Sequence, residues 1–128
     1  AGCAGAGGAG ARVEVVRAVH VDERLDLAGV PALAASADAL LLDTRTRDRL
    51  GGTGLVHDWS VSARIRDIAA AEGTPVYLAG GLTPENVSAA IAVVRPAGVD
   101  ANSGLDNARG DKDPVRVRGF VRAAARQV

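Results

Sequence analysis

Three consecutive leucines at residues 40–42 constrain the fold more than any other feature of this chain. They stand between turn-prone segments, and Asp43 follows them directly. A short apolar run of this kind is typical of a strand buried on both faces in a parallel sheet. Asp43 then lies at the carboxyl end of that strand, which is where parallel α/β proteins place their chemistry. We therefore take Asp43 as the first candidate catalytic residue.

The rest of the chain repeats an order of strand, polar or glycine-rich loop, and helix. Strands are predicted at residues 13–21, 39–44, 75–79 and 98–101. A helix follows each strand: a short or broken one after the cap Asp22, one over about 59–72, one from the cap Thr83 to Pro96, and one opened by Asp113. The crossovers are long enough for parallel strands. The order predicts an α/β fold, either half of an eightfold βα barrel or a small open sheet.

Composition narrows the class of protein. The 128 residues suit one domain, and the 15 basic and 15 acidic side chains cancel, so a nucleic-acid partner is not expected. The chain lacks the apolar run that a membrane span needs, so we expect a cytoplasmic protein. It also lacks any metal-binding spacing, and we expect no cofactor. Residues 1–11, rich in Ala and Gly, predict a flexible segment in which Cys3 is an incidental thiol. Because the sequence has no Met, we expect it to be processed, excised or part of a longer protein.

Six motifs then occur in order along the chain. They are LLDT at 41–44, GGTG at 51–54, DW at 58–59, LAGGLTPENV at 78–87, VDANSG at 99–104 and KD at 112–113. Together they resemble the C-terminal half of the phosphoribosylanthranilate isomerase family, (β/α)8 barrels of tryptophan biosynthesis. The resemblance implies that residues 12–128 are that half, with the barrel's fifth to eighth strands.

The resemblance also implies a role for Asp43. The family performs an Amadori rearrangement of N-(5-phosphoribosyl)anthranilate with an aspartate general acid, which matches Asp43, and a cysteine general base. The acid would protonate the ribose ring oxygen and open the furanose. The alternative is that Asp43 only caps or hydrogen-bonds the loop that follows it.

The loops after the last two strands are the expected phosphate site. Gly80 and Gly81 form the first loop, and Asn102, Ser103 and Gly104 form the second. Barrels of this kind hold a phosphate between such loops with backbone N–H groups. The glycine pair could instead be only a tight turn.

Two further candidates lie beside the expected substrate. Asp100 ends the fourth strand, where it would line the pocket or serve as a structural hydrogen-bond partner. Gly52 lies in the loop at residues 45–54, which the resemblance places next to the substrate as a lid or anionic clamp. A solvated charge run is the simpler interpretation of that loop.

The family's first four βα units and their cysteine base are not in these residues, and Cys3 lacks the family's context. Four strands leave two open edges and a bare barrel interior, so we expect the missing half or a second copy as partner. The chain alone should be inactive or severely impaired. Two alternatives stay open: an isomerase of histidine biosynthesis, and a non-catalytic module that binds phosphosugars.

Overall fold

A computed structural model describes residues 10–44 and 58–126. The strands are β1 (Val16–His20), β2 (Ala39–Asp43), β3 (Val76–Ala79) and β4 (Gly98–Val99). The helices are α1 (Val30–Ala35), α2 (Ser60–Ala71), α3 (Val87–Val94) and α4 (Pro114–Ala125), with 3-10 turns at Leu27–Gly29 and Ser103–Leu105. All neighbouring strands are parallel, in the order β1-β2-β3-β4. The predicted succession of four βα units is confirmed.

The hydrophobic core lies between one face of the sheet and the helices. Leu40, Leu42 and Leu78 are fully buried on that face. Ile65 of α2 and Phe120 of α4 belong to the same cluster of buried side chains. Leu40 and Leu42 thus fix which face of β2 turns toward the helices, because their side chains are removed from water only on that side.

The opposite face of the sheet carries no covering layer among the described residues. One row across the four strands lies on this open face: Ala18, Leu41, Tyr77 and Gly98. Leu41 is only half-buried and Tyr77 is 38% exposed. The expectation that β2 is buried on both faces is therefore met on the helix side only.

The ends of two helices show where capping could be predicted and where it could not. Asp113 caps α4 as predicted, since its Oδ1 accepts a hydrogen bond from Val115 N at 2.9 Å. Asp22 is not a helix cap, because its Oδ1 accepts from Arg24 N within a turn. Asp26 caps the 3-10 turn before α1 instead. Asp is favoured both in turns and at helix N-termini, so the sequence alone does not show which of the two aspartates caps the helical segment.

The apolar spacing of Val117, Phe120, Val121 and Ala124 predicts that these four residues form the buried face of α4, and the observed buried face is narrower. Phe120 is buried and Val117 packs against the core, but Val121 is 58% exposed. Successive helix residues are rotated by about 100°, so Val121 lies beside the buried stripe rather than on it. None of the helices in the described ranges is long and apolar enough to span a membrane.

The two faces of β2 predict different costs for two neighbouring truncations. Leu42→Ala leaves a cavity in the closed core, and we expect a loss of about 2–5 kcal/mol in the free energy of unfolding. Leu41→Ala, on the open face, should cost about 1 kcal/mol or less. Urea unfolding followed by circular dichroism measures both. Equal losses would contradict an open face, because Leu41 would then be as buried as Leu42.

An ion pair joins the turn before α3 to α4 and predicts a pH effect. Arg116 Nη1 and Nη2 donate to the two carboxylate oxygens of Glu85 at 3.0 and 3.2 Å, which lowers the pKa of Glu85. A lowered pKa in the folded state adds stability above the ordinary Glu pKa, and that stability is lost as the pH falls through the folded value.

The expected change is an upward shift of the Glu85 pKa in Arg116→Met, measured by NMR titration of the carboxyl carbon. The matched control is Arg118→Met, which removes an exposed arginine of the same helix. The change in stability should be small, because Glu85 is largely exposed. A Glu85 pKa that is unchanged in Arg116→Met would contradict the assignment.

Candidate functional site

A cleft of about 500 Å³ opens at the carboxyl edge of the sheet, where the loops after β2, β3 and β4 meet. It is lined by Ala18, Leu41, Asp43, Thr44, Ala79, Gly80, Gly81, Leu82, Asp100, Ala101, Asn102, Ser103 and Gly104. Parallel strands bring their carboxyl ends to one edge, so residues far apart in sequence converge there. Seven of the eight predicted site residues line this one cleft.

Asp43 is the last residue of β2, at the carboxyl edge of the sheet. Its side chain is 17% exposed, and its Oδ1 is buried. The loop after β3 crosses close to it: a Cβ on Gly80 would lie 2.5 Å from Asp43 Oδ1 and 2.7 Å from Thr44 N. Gly80 also has φ +95, so both space and backbone conformation require glycine here.

Two side chains that the sequence did not single out lie beside Asp43. His20 ends the neighbouring strand, and its Nδ1 is 3.7 Å from Asp43 Oδ2, with the imidazole 69% exposed. Thr44 is buried, and its hydroxyl donates to the Ala79 carbonyl oxygen at 3.1 Å. The threonine bond ties the end of β2 to the end of β3, which holds Asp43 against the glycine loop.

The first glycine loop is held by the side chain of Asn86. Asn86 Nδ2 donates to the Gly81 carbonyl oxygen at 3.0 Å, and Asn86 Oδ1 accepts from Thr83 N at 2.8 Å. Thr83 Oγ1 in turn accepts from Asn86 N at 3.2 Å. These reciprocal bonds have the pattern of a capping box, with Asn86 in the place of the usual glutamate. They close the turn before α3, whose N-cap is Asn86 and not the predicted Thr83, because the chain makes one more turn before the helix begins.

The second loop, residues 102–104, leads into the 3-10 turn Ser103–Leu105, and two cationic side chains that do not line the cleft bind its carbonyl groups. Arg116 Nε donates to the Gly104 carbonyl oxygen at 2.9 Å, and Lys112 Nζ donates to the Asn102 carbonyl oxygen at 3.2 Å. A Cβ on Gly104 would overlap the Leu82 carbonyl oxygen, so the two loops touch only because this residue is glycine.

Several backbone N–H groups of the two loops stay unbonded within the described part of the chain. Gly81, Ser103 and Gly104 donate no hydrogen bond to any described protein acceptor. All three line the cleft. Clustered, unsatisfied N–H groups form a concave site for an anion, and phosphate satisfies several of them together. The geometry therefore suits a carboxylate facing a phosphorylated ligand.

The other residues singled out in the sequence lie either in the cleft or outside the described part of the chain. Asp100 lines the cleft and is exposed, and its side chain forms no hydrogen bond with a described residue. Gly52, the loop at 45–54 and Cys3 lie outside the described residues. Among the described residues there is no group of three or more His, Cys, Asp or Glu side chains that could hold a metal ion.

The sequence missed the residues that act on the loops from outside. Lys112 was visible as part of the KD motif, but nothing local shows that it reaches back ten residues to Asn102. Arg116 gives no signal at all, since it is one of several arginines on α4. Such contacts depend on how α4 docks and cannot be inferred from spacing.

Comparison with known proteins gives a consistent result. The family model for N-(5'-phosphoribosyl)anthranilate (PRA) isomerase matches residues 8–123. The chain is 48% identical to the N-(5'-phosphoribosyl)anthranilate isomerase of Haloferax volcanii over 113 residues, which are 88% of this chain and 50% of that protein. The chain spans about half the length of the curated relatives it matches.

Solved structures agree with the sequence relatives. The phosphoribosyl anthranilate isomerase of Thermotoga maritima superposes with a TM-score of 0.70 at 37% identity, over 89% of this chain and 52% of that one. A second solved structure is a phosphoribosyl anthranilate isomerase in complex with reduced 1-(o-carboxyphenylamino)-1-deoxyribulose 5-phosphate. It superposes with a TM-score of 0.66 at 33% identity, over 88% of this chain and 49% of that one. The resemblance and the α/β half-barrel class predicted from the sequence are both confirmed. The chain belongs to the N-(5'-phosphoribosyl)anthranilate isomerase family.

Proposed function

We propose that residues 12–128 are the C-terminal four βα units of an enzyme that isomerises N-(5'-phosphoribosyl)anthranilate. The observation that carries the proposal is the shared cleft, in which the Asp43 carboxylate and the unbonded N–H groups of two loops face one volume. A phosphosugar has both groups that such a cleft can serve: a phosphate for the N–H donors and a ring oxygen for an acid. A relative with the same fold binds a reduced phosphosugar of this class.

The chemistry assigned to Asp43 is proton donation to the ribose ring oxygen. The nitrogen lone pair of the substrate then forms a double bond to C1 while the C1–O bond breaks, and the ring opens. A carboxyl group can donate this proton only if it is held close to the ring oxygen, and the dense packing around Asp43 provides such positioning. Removal of the C2 proton needs a base, which the resemblance places on the first strand of a whole barrel.

The open sheet face supports a further part of the proposal, namely that this chain works with a partner. Val16, the first residue of the edge strand β1, and Val15 just before it are each 53% exposed. The row that contains Leu41 and Tyr77 lies on the open face of the sheet. Exposed apolar surface next to unpaired strand edges favours association. The occupant we propose is the complementary half-barrel, with a second copy of this chain as the alternative. The cytoplasmic location stays a prediction.

Reconstitution tests the activity. We expect the chain alone to show no ordinary turnover of N-(5'-phosphoribosyl)anthranilate. Activity should appear when it is mixed with, or fused to, the half of the Haloferax volcanii relative that it does not match. Ordinary turnover by the 128-residue chain alone would contradict the proposed division. Phosphate binding without activity in the reconstituted protein would indicate a non-catalytic phosphosugar-binding module instead.

In the active reconstituted enzyme, Asp43→Asn removes the acid with little change in shape. We expect kcat to fall by about 10²–10⁴-fold, the range typical of general acid catalysis, with a smaller change in KM. Asp67→Asn is the matched control, because Asp67 is an exposed carboxylate on the outer helix α2. An Asp43→Asn enzyme as active as the Asp67→Asn enzyme would rule out the acid role.

Inorganic phosphate tests the anion site in the chain itself. In a titration followed by ¹H–¹⁵N NMR, we expect saturable shifts of the Gly81, Ser103 and Gly104 amides. Gly73 and Gly110 serve as internal controls, since both have positive φ and lie outside the cleft. Shifts of equal size at the control glycines, or none in the cleft, would contradict the proposed phosphate site.

A further inference from the structure

We propose that Lys112 is a positioning residue that aims the second loop's N–H groups into the cleft and does not itself contact the ligand. The inference rests on the phosphate site proposed above and adds a residue to it. Lys112 is not among the residues that line the cleft. It precedes Asp113, the N-cap of α4, and its side chain is 52% exposed. Its ammonium group nevertheless reaches the first residue of the second loop.

The bonds of Lys112 show why it acts through the loop. Its Nζ donates to the Asn102 carbonyl oxygen at 3.2 Å, to Asn102 Oδ1 at 3.0 Å, and to Asp106 Oδ1. An ammonium group has three N–H donors, so all of them are in use. None is left for a bound phosphate, which separates this lysine from the common lysine that binds phosphate directly.

The carbonyl that Lys112 holds belongs to the same peptide unit as Ser103 N–H. In a trans peptide the C=O and N–H bonds point in opposite directions. Leu105 N also donates to the Asn102 carbonyl oxygen, at 3.0 Å, so this carbonyl is fixed by two donors. Neither donor residue, Lys112 or Leu105, lines the cleft, whereas Ser103 does. The Asn102 oxygen therefore points to the side away from the cleft, and Ser103 N–H, on the other side of the same peptide, points toward it.

Lys112 is itself held in place by a short hairpin. Asp106 and Lys112 form an antiparallel bridge. Between them, Asn107 N donates to the Asp111 carbonyl oxygen at 2.7 Å, and Asn107 Oδ1 accepts from Arg109 N at 2.8 Å. This closed hairpin carries the ammonium group back to Asn102, so the position of Lys112 does not depend on the ligand.

The test compares three variants of the chain in the phosphate titration. We expect Lys112→Met to weaken phosphate binding roughly tenfold, as for the loss of one hydrogen bond from the misdirected Ser103 N–H to the charged phosphate. Lys112→Arg should recover most of the affinity, because guanidinium also donates to several acceptors. Arg109→Met, which removes a positive charge from the same hairpin without a side-chain bond to a described residue, should change the affinity by less than about twofold.

A second readout separates positioning from general destabilisation. In Lys112→Met without phosphate, we expect the Ser103 amide resonance to shift while that of Gly81 stays in place and the urea midpoint is unchanged. Equal affinity in Lys112→Met and the unmodified chain would overturn the positioning role and leave the phosphate site intact. Equal losses in Lys112→Met and Arg109→Met would overturn it in favour of net charge alone. Absence of binding by the unmodified chain would overturn both proposals.

Discussion

The parallel register of the four strands is the constraint on which the site depends. Ladder hydrogen bonds continue to the very ends of the strands, from Thr44 N to the Ala79 carbonyl oxygen at 3.1 Å and from Asp100 N to the Leu78 carbonyl oxygen at 2.9 Å. The loops after β2, β3 and β4 therefore start side by side. The buried leucines fix this register, because a slip of one residue would turn Leu42 away from the helices.

Glycines allow the loops to approach the carboxylate and one another. Gly80 passes so close to Asp43 that no side chain fits, and Gly104 touches the Leu82 carbonyl group in the same way. The main-chain N–H groups therefore come near Asp43 without intervening side chains. Asn86, Arg116 and Lys112 hold the loop carbonyl groups from behind. The glycine loops thus present backbone to the cleft, and side chains at the start of α3, on α4 and on the hairpin support them.

Much of this arrangement could be predicted from the sequence because it depends on local signals. The apolar run at 40–42 places β2, and the carboxylate that follows it, Asp43, packs against the glycine loop. The Asp113-Pro114 pair marks the start of α4 correctly. Two predictions are wrong for different reasons. Asp22 is predicted to cap a helix but lies in a turn, since Asp is favoured in both. Val121 is predicted to be buried but is exposed, because the way α4 docks on the core decides which of its residues are covered. Lys112 and Arg116 could not be assigned, since their partners lie ten and twelve residues away across a turn.

A crystal structure of the chain with reduced 1-(o-carboxyphenylamino)-1-deoxyribulose 5-phosphate, the ligand bound by a relative, tests the central claim most directly. The account predicts the phosphorus atom within hydrogen-bonding reach of Gly81, Ser103 and Gly104 N–H, and the Asp43 carboxyl group facing the sugar. A ligand bound instead in the larger cavity beside Arg95 and Pro96, of about 840 Å³, would contradict it. So would a phosphate in the cleft with Asp43 turned away from the sugar.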